Sequence, residues 1–157
     1  MKSASIQELK QELSTLKTKE LMELCLRLAR FKKENKELLT FLLFEAHDEA
    51  AYIQSLKQDI DTEFATINLS HLYFVKKSLR KILRLISRHV RYTGSRTAEI
   101  EWLIYFLTLI KDSGIPYEKS PVLANLYNNQ VKKVEAGVEM LHEDLQYEYQ
   151  RGIARLK

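Results

Sequence analysis

Apolar residues recur along this chain at steps of three and four almost from end to end, the spacing of helices that bury one face. The first series is Ile6, Leu9, Leu13 and Leu16. It opens behind Ser5, with Glu8 three residues on, which predicts a capping box and a helix over 5–16. Thr18 is the expected cap of a second helix, with Leu21, Leu24, Cys25, Leu28 and Phe31 on one face and the polar stretch 32–35 at its end. Next comes a longer series, Leu39, Leu42, Ala46, Ala50, Ile53, Leu56, Ile60, Phe64 and Ile67. Its unbroken stepping suits one helix of about thirty residues, and equally two helices with Asp48 as N-cap and Glu49 in the first turn.

Over 72–91, Leu72, Val75, Leu79, Ile82, Leu83, Ile86 and Val90 share one arc of about 100° on a helical projection. Ser70 is the expected N-cap of this helix and Gly94 its left-handed terminator. Ser95 or Thr97 then caps a helix over 98–112. Its Ile100, Trp102, Leu103, Ile104, Tyr105, Phe106, Leu107, Leu109 and Ile110 are apolar almost all round, which predicts the central, most buried helix. Gly114 closes it, 115–119 is a loop, and Ser120-Pro121 sets an N-cap before a proline at the first helical position. The last helix is expected to run towards the C-terminus, with Tyr127, Val131, Val134, Val138, Leu141, Leu145 and Tyr149 as a seam. Such a seam serves another helix or the second subunit of a homodimer.

Residues 19–30 echo 77–88 at an offset of 58, through Lys19/Lys77, Leu21/Leu79, Leu24/Ile82, Leu28/Ile86 and Arg30/Arg88. The echo allows two related helical hairpins, as in α-solenoids. With only 4 Gly and 2 Pro in 157 residues, the chain lacks the turn formers of a sandwich or barrel. The expected fold is therefore all-α: a single domain over 1–157, built as a helical bundle or helical-hairpin array of about five to seven helices. No run approaches the ~20 apolar residues that span a bilayer. No secretory signal opens the chain, and one cysteine cannot close an internal disulfide, so the cytoplasm is the expected compartment.

Charge changes the picture in one place. The formal net charge is +4, yet residues 64–98 hold eight Lys or Arg and no acid, while each flank sums to −2. Lys77, Arg80, Lys81, Arg84, Arg88 and Arg91 lie on an arc opposite the apolar stripe, with Lys76 on its flank. Lys77/Lys81, Arg80/Arg84 and Arg84/Arg88 are one turn apart and repel by a few tenths of a kcal/mol each, so an anion is expected to offset them. Beyond this helix, the turn 93–97 offers amides, hydroxyls and Arg96 at a helix N-terminus, a setting that can hold an anion at Ser95 and Arg96.

Catalytic signatures are not found. There is no phosphate-cradling loop, dinucleotide fingerprint or nucleophile elbow. Glu139 and His142 form a Glu-x-x-His pair, half of a di-iron pattern, but His71 and His89 lack a Glu three residues before them. Glu45, His47, Asp48 and Glu49 form an unpatterned cluster. Cys25, on an apolar stripe, reads as a small core residue. The expectation is a non-catalytic binding protein with no cofactor or metal. Its basic face meets an acidic protein partner, or an acidic helix of its own such as 135–148. Nucleic-acid backbone binding by the same face is the alternative, and a membrane surface is disfavoured, because the apolar stripe would have to leave the core and lacks a tryptophan anchor.

Overall fold

The computed structural model describes residues 2–157, whose regular secondary structure is all helical, with no strand among them. The described residues form eight α-helices, one more than the upper expectation. They divide into two compact units, one ending at Glu45 and the other comprising Ala46–Lys157.

The first unit holds α1 (Ile6–Thr15), α2 (Thr18–Phe31), α3 (Lys33–Thr40) and a π-helical turn, Phe41–Glu45. The expected capping box is present: Ser5 N–H donates to Glu8 Oε2 (2.6 Å) and Glu8 N–H to Ser5 Oγ (3.3 Å). The N-cap of α2 is Lys17 rather than Thr18, and its amide donates to Glu20 Oε2 at 2.8 Å. Asn35 joins α3 to α2 by donating to the carbonyl of Leu28 (2.8 Å). The long apolar series is not one helix. The π-turn widens the spiral after Thr40, and the chain restarts at Asp48, whose side chain accepts from Ala51 N–H at 2.9 Å.

In the second unit, α4 (Glu49–Ala65), α5 (Leu72–Thr93), α7 (Pro121–Glu139) and α8 (Glu143–Leu156) all pack on α6 (Arg96–Asp112). This follows from the all-round apolar character of α6, where Ile100, Trp102, Leu103, Phe106, Leu107 and Ile110 are buried. Trp102 is 0% exposed, and its Nε1–H donates to the carbonyl of Ile53 at 3.1 Å, fastening α6 to α4. Further along the same helix pair, Glu101 accepts from Lys57 Nζ (2.8 Å) and also from Tyr149 Oη of α8 (3.4 Å), and Tyr105 Oη donates to Asp61 (2.6 Å). Burial, then the neighbouring carboxylate, pushes the phenols of Tyr149 and Tyr105 up to about 12.

The last helix departs from expectation. It ends at Glu139, and His142 caps a separate α8 by accepting from Asp144 N–H at 3.4 Å. α8 folds back along α7: Tyr127 Oη donates to the carbonyl of Leu156 (3.0 Å) and Lys157 pairs with Glu135 (2.7 Å). The seam is consequently filled within the chain, with Tyr127, Val131, Val134 and Val138 buried under neighbouring helices. Gly137 permits this approach, since a Cβ there would stand 3.2 Å from the side chain of Ile100.

Candidate functional site

α5 owes its length to signals at both ends. His71, not Ser70, is its N-cap, with Nδ1 accepting from Tyr73 N–H at 3.2 Å, and Gly94 closes it at φ 63°. Val75, Leu79, Ile82 and Ile86 are buried as the stripe requires; Leu83 and Val90 are half-buried, Leu72 is exposed, and Tyr92 is buried in addition. Tyr52 Oη lies 2.6 Å from His89 Nδ1, so the inner side of α5 is also fixed through hydrogen bonding to α4. With one side anchored, the other is committed to solvent.

On that outer side Lys77, Arg80, Lys81, Arg84 and Arg91 are exposed and Arg88 is half-buried. The acids expected on the last helix do not neutralise them. Glu135 is taken by Lys157, and Glu63 of α4 reaches the row, pairing with Lys81 Nζ at 2.6 Å. Lys77, Arg80, Arg84 and Arg91 form no ion pair with any described residue. Lys77, Arg80 and Arg84 line a surface hollow of about 300 Å³ together with Lys76 and Tyr73.

Tyr73 was not among the expected site residues, although the signal was present. It precedes Arg80, Arg84 and Arg91 by seven, eleven and eighteen positions, which places all four within about 40° on the helical projection. An aromatic ring therefore does stand in line with the cations, 56% exposed and with Lys76 Nζ 5.5 Å from its centroid. Phe74 packs edge-on to Tyr73, with ring centroids 5.6 Å apart, and Leu69 and Leu72 are exposed nearby in the chain. The cationic row thus begins in an apolar, aromatic end.

Ser95 and Arg96 are not part of this row. Ser95 Oγ caps α6 by accepting from Ala98 N–H (3.2 Å) and donates to the carboxylate of Glu49, so that helix N-terminus already holds an anionic group. Arg96 Nη1 lies on Met140 Sδ, 2.6 Å away.

The other sequence candidates are dispersed. Glu139 ends α7 and His142 caps α8, so the Glu-x-x-His pair falls across a helix break rather than on one flank. No group of three or more His, Cys, Asp or Glu among the described residues is placed to hold a metal ion. Cys25 is exposed, not in a core, since α2 buries none of its residues. Among the described residues no helix is long and apolar enough to cross a membrane. In comparisons with known proteins, the chain matches no family model, no curated protein and no solved structure.

Proposed function

We propose that this is a non-catalytic helical binding protein whose α5 face docks an acidic segment of a protein partner. The observation that carries the reading is the row Lys77, Arg80, Arg84 and Arg91, exposed and without an ion pair among the described residues, running into a hollow shared with Tyr73. Four cations within about 21 Å of one helix repel one another, and an approaching row of carboxylates relieves that repulsion while accepting bidentate arginine hydrogen bonds. The row is one helix wide and edged by the carboxylate of Glu63. That dimension suits an acidic helix or extended peptide better than a nucleic-acid duplex, whose second strand would meet Glu63. The exposed free thiol of Cys25 is suited to a reducing, cytoplasmic setting.

A second reading, single-stranded nucleic acid, is favoured by Tyr73 alone: its ring can stack a base while Lys77, Arg80 and Arg84 meet phosphates. Fluorescence anisotropy separates the two, using a labelled Glu-rich helical peptide and a labelled single-stranded oligonucleotide at several salt concentrations. The peptide is expected to bind with an affinity that falls with salt, and Arg80→Glu with Arg84→Glu is expected to weaken it at least about tenfold without loss of helicity. Tighter binding of the oligonucleotide, linear in log-log salt, moves the conclusion to the second reading. Absence of binding to both probes at low salt rejects both.

A further inference from the structure

The first unit leaves most of its large apolar side chains in solvent. Among its described residues Phe41 alone is buried, while Ile6, Met22, Leu28, Phe31, Leu43 and Phe44 are each more than half exposed. Apolar surface on this scale marks an interaction site.

Its occupant is argued from complementarity inside the unit itself. The α2/α3 hairpin carries a groove of about 440 Å³ with apolar walls from Leu26, Leu39, Leu43 and Phe44, and with Arg30 and Lys36 among its lining residues. α1 offers the converse surface: a stripe of Ile6, Leu9 and Leu13, all exposed, edged by Glu12 on one side and by Lys10 on the other. Glu8 is held in its own capping box, whereas Glu12, Arg30 and Lys36 form no ion pair with a described residue. α1 buries none of its residues in its own chain. One element is therefore apolar, unburied and acidic along the edge that carries Glu12, and another is an open apolar groove with Arg30 and Lys36 in its lining.

We infer that the first unit is a homodimerisation module in which α1 of each protomer lies in the α2/α3 groove of its partner. Two-fold symmetry makes the exchange reciprocal, so one contact type is formed twice and both exposed surfaces are covered together. Glu12 faces Arg30 across each groove, and Leu9 and Leu13 occupy its apolar floor. The C-terminal seam is not needed for this dimer, because α6 and α8 fill it.

Light scattering coupled to size exclusion, on the full chain over a concentration series, reads the mass directly. A concentration-dependent shift to twice 18.5 kDa is expected. Leu9→Glu is expected to abolish it with helicity unchanged, since Leu9 is exposed in the protomer. Glu12→Lys and Arg30→Glu are each expected to weaken the dimer about tenfold, since symmetry counts each change twice, and the two together are expected to restore it. A monomer at every concentration, a dimer indifferent to Leu9→Glu, or a charge pair that fails to restore association overturns the inference.

Discussion

Single side chains hold the second unit in register, Trp102 among them. Its indole is wholly enclosed and donates to Ile53, so Trp102→Phe removes that hydrogen bond, which the Ile53 carbonyl accepts beside its helical one, and part of the buried ring volume. The expected loss is about 1–3 kcal/mol in urea unfolding. Tyr149 and Tyr105 titrate near 12, above the ordinary value of 10, and Tyr127 does so through burial and then Tyr117. A phenol raised in the folded state supports folding fully below pH about 10 and loses that support as pH climbs to about 12. The melting temperature is expected to fall through that window, and less steeply in Tyr149→Phe. Trp102 and Cys25 were both read as core from periodicity, with opposite outcomes. Periodicity says which face is apolar, not whether another element covers it. Trp102 sits on a helix with no polar face to leave in water; Cys25 sits on a hairpin that its own unit leaves open.

Helix ends show which features were legible in sequence. Ser5 with Glu8, Gly94 and Ser120 act through hydrogen bonds or backbone angles set within one turn and stand where the sequence placed them, Asp48 and Ser95 decide between alternatives that the sequence left open, and Thr18 and Ser70 yield the cap to their neighbours Lys17 and His71. Asp48→Ala is expected to destabilise by about 1 kcal/mol, measured by thermal unfolding. The break between α7 and α8 was not legible, because the apolar steps of four and three run straight through it. It is decided at a distance, by Tyr127 holding the carbonyl of Leu156 and by Lys157 reaching Glu135. Gly137 was a clue: glycine inside a helix costs about 1 kcal/mol, and here it lets α7 approach Ile100. Gly137→Val forces β-branched bulk into that contact and is expected to cost about 1–3 kcal/mol.

At the scale of the whole molecule, hydropathy foretold the helical class and the central place of α6, and charge singled out one face. The block 64–98 carries all its charge with one sign, and the fold turns it into an outer face by burying the opposite stripe of α5. What the sequence did not disclose is that Lys77, Arg80, Arg84 and Arg91 form no ion pair with a described residue: Glu63 reaches Lys81, and Glu135 pairs with Lys157. The most direct measurement is an amide NMR titration of the full chain with the Glu-rich peptide at low salt. Saturable shifts concentrated over 73–91 and reversed by added salt are expected. Shifts absent from α5, or saturating elsewhere while α5 stays unmoved, would contradict an anion-docking role for its cationic face.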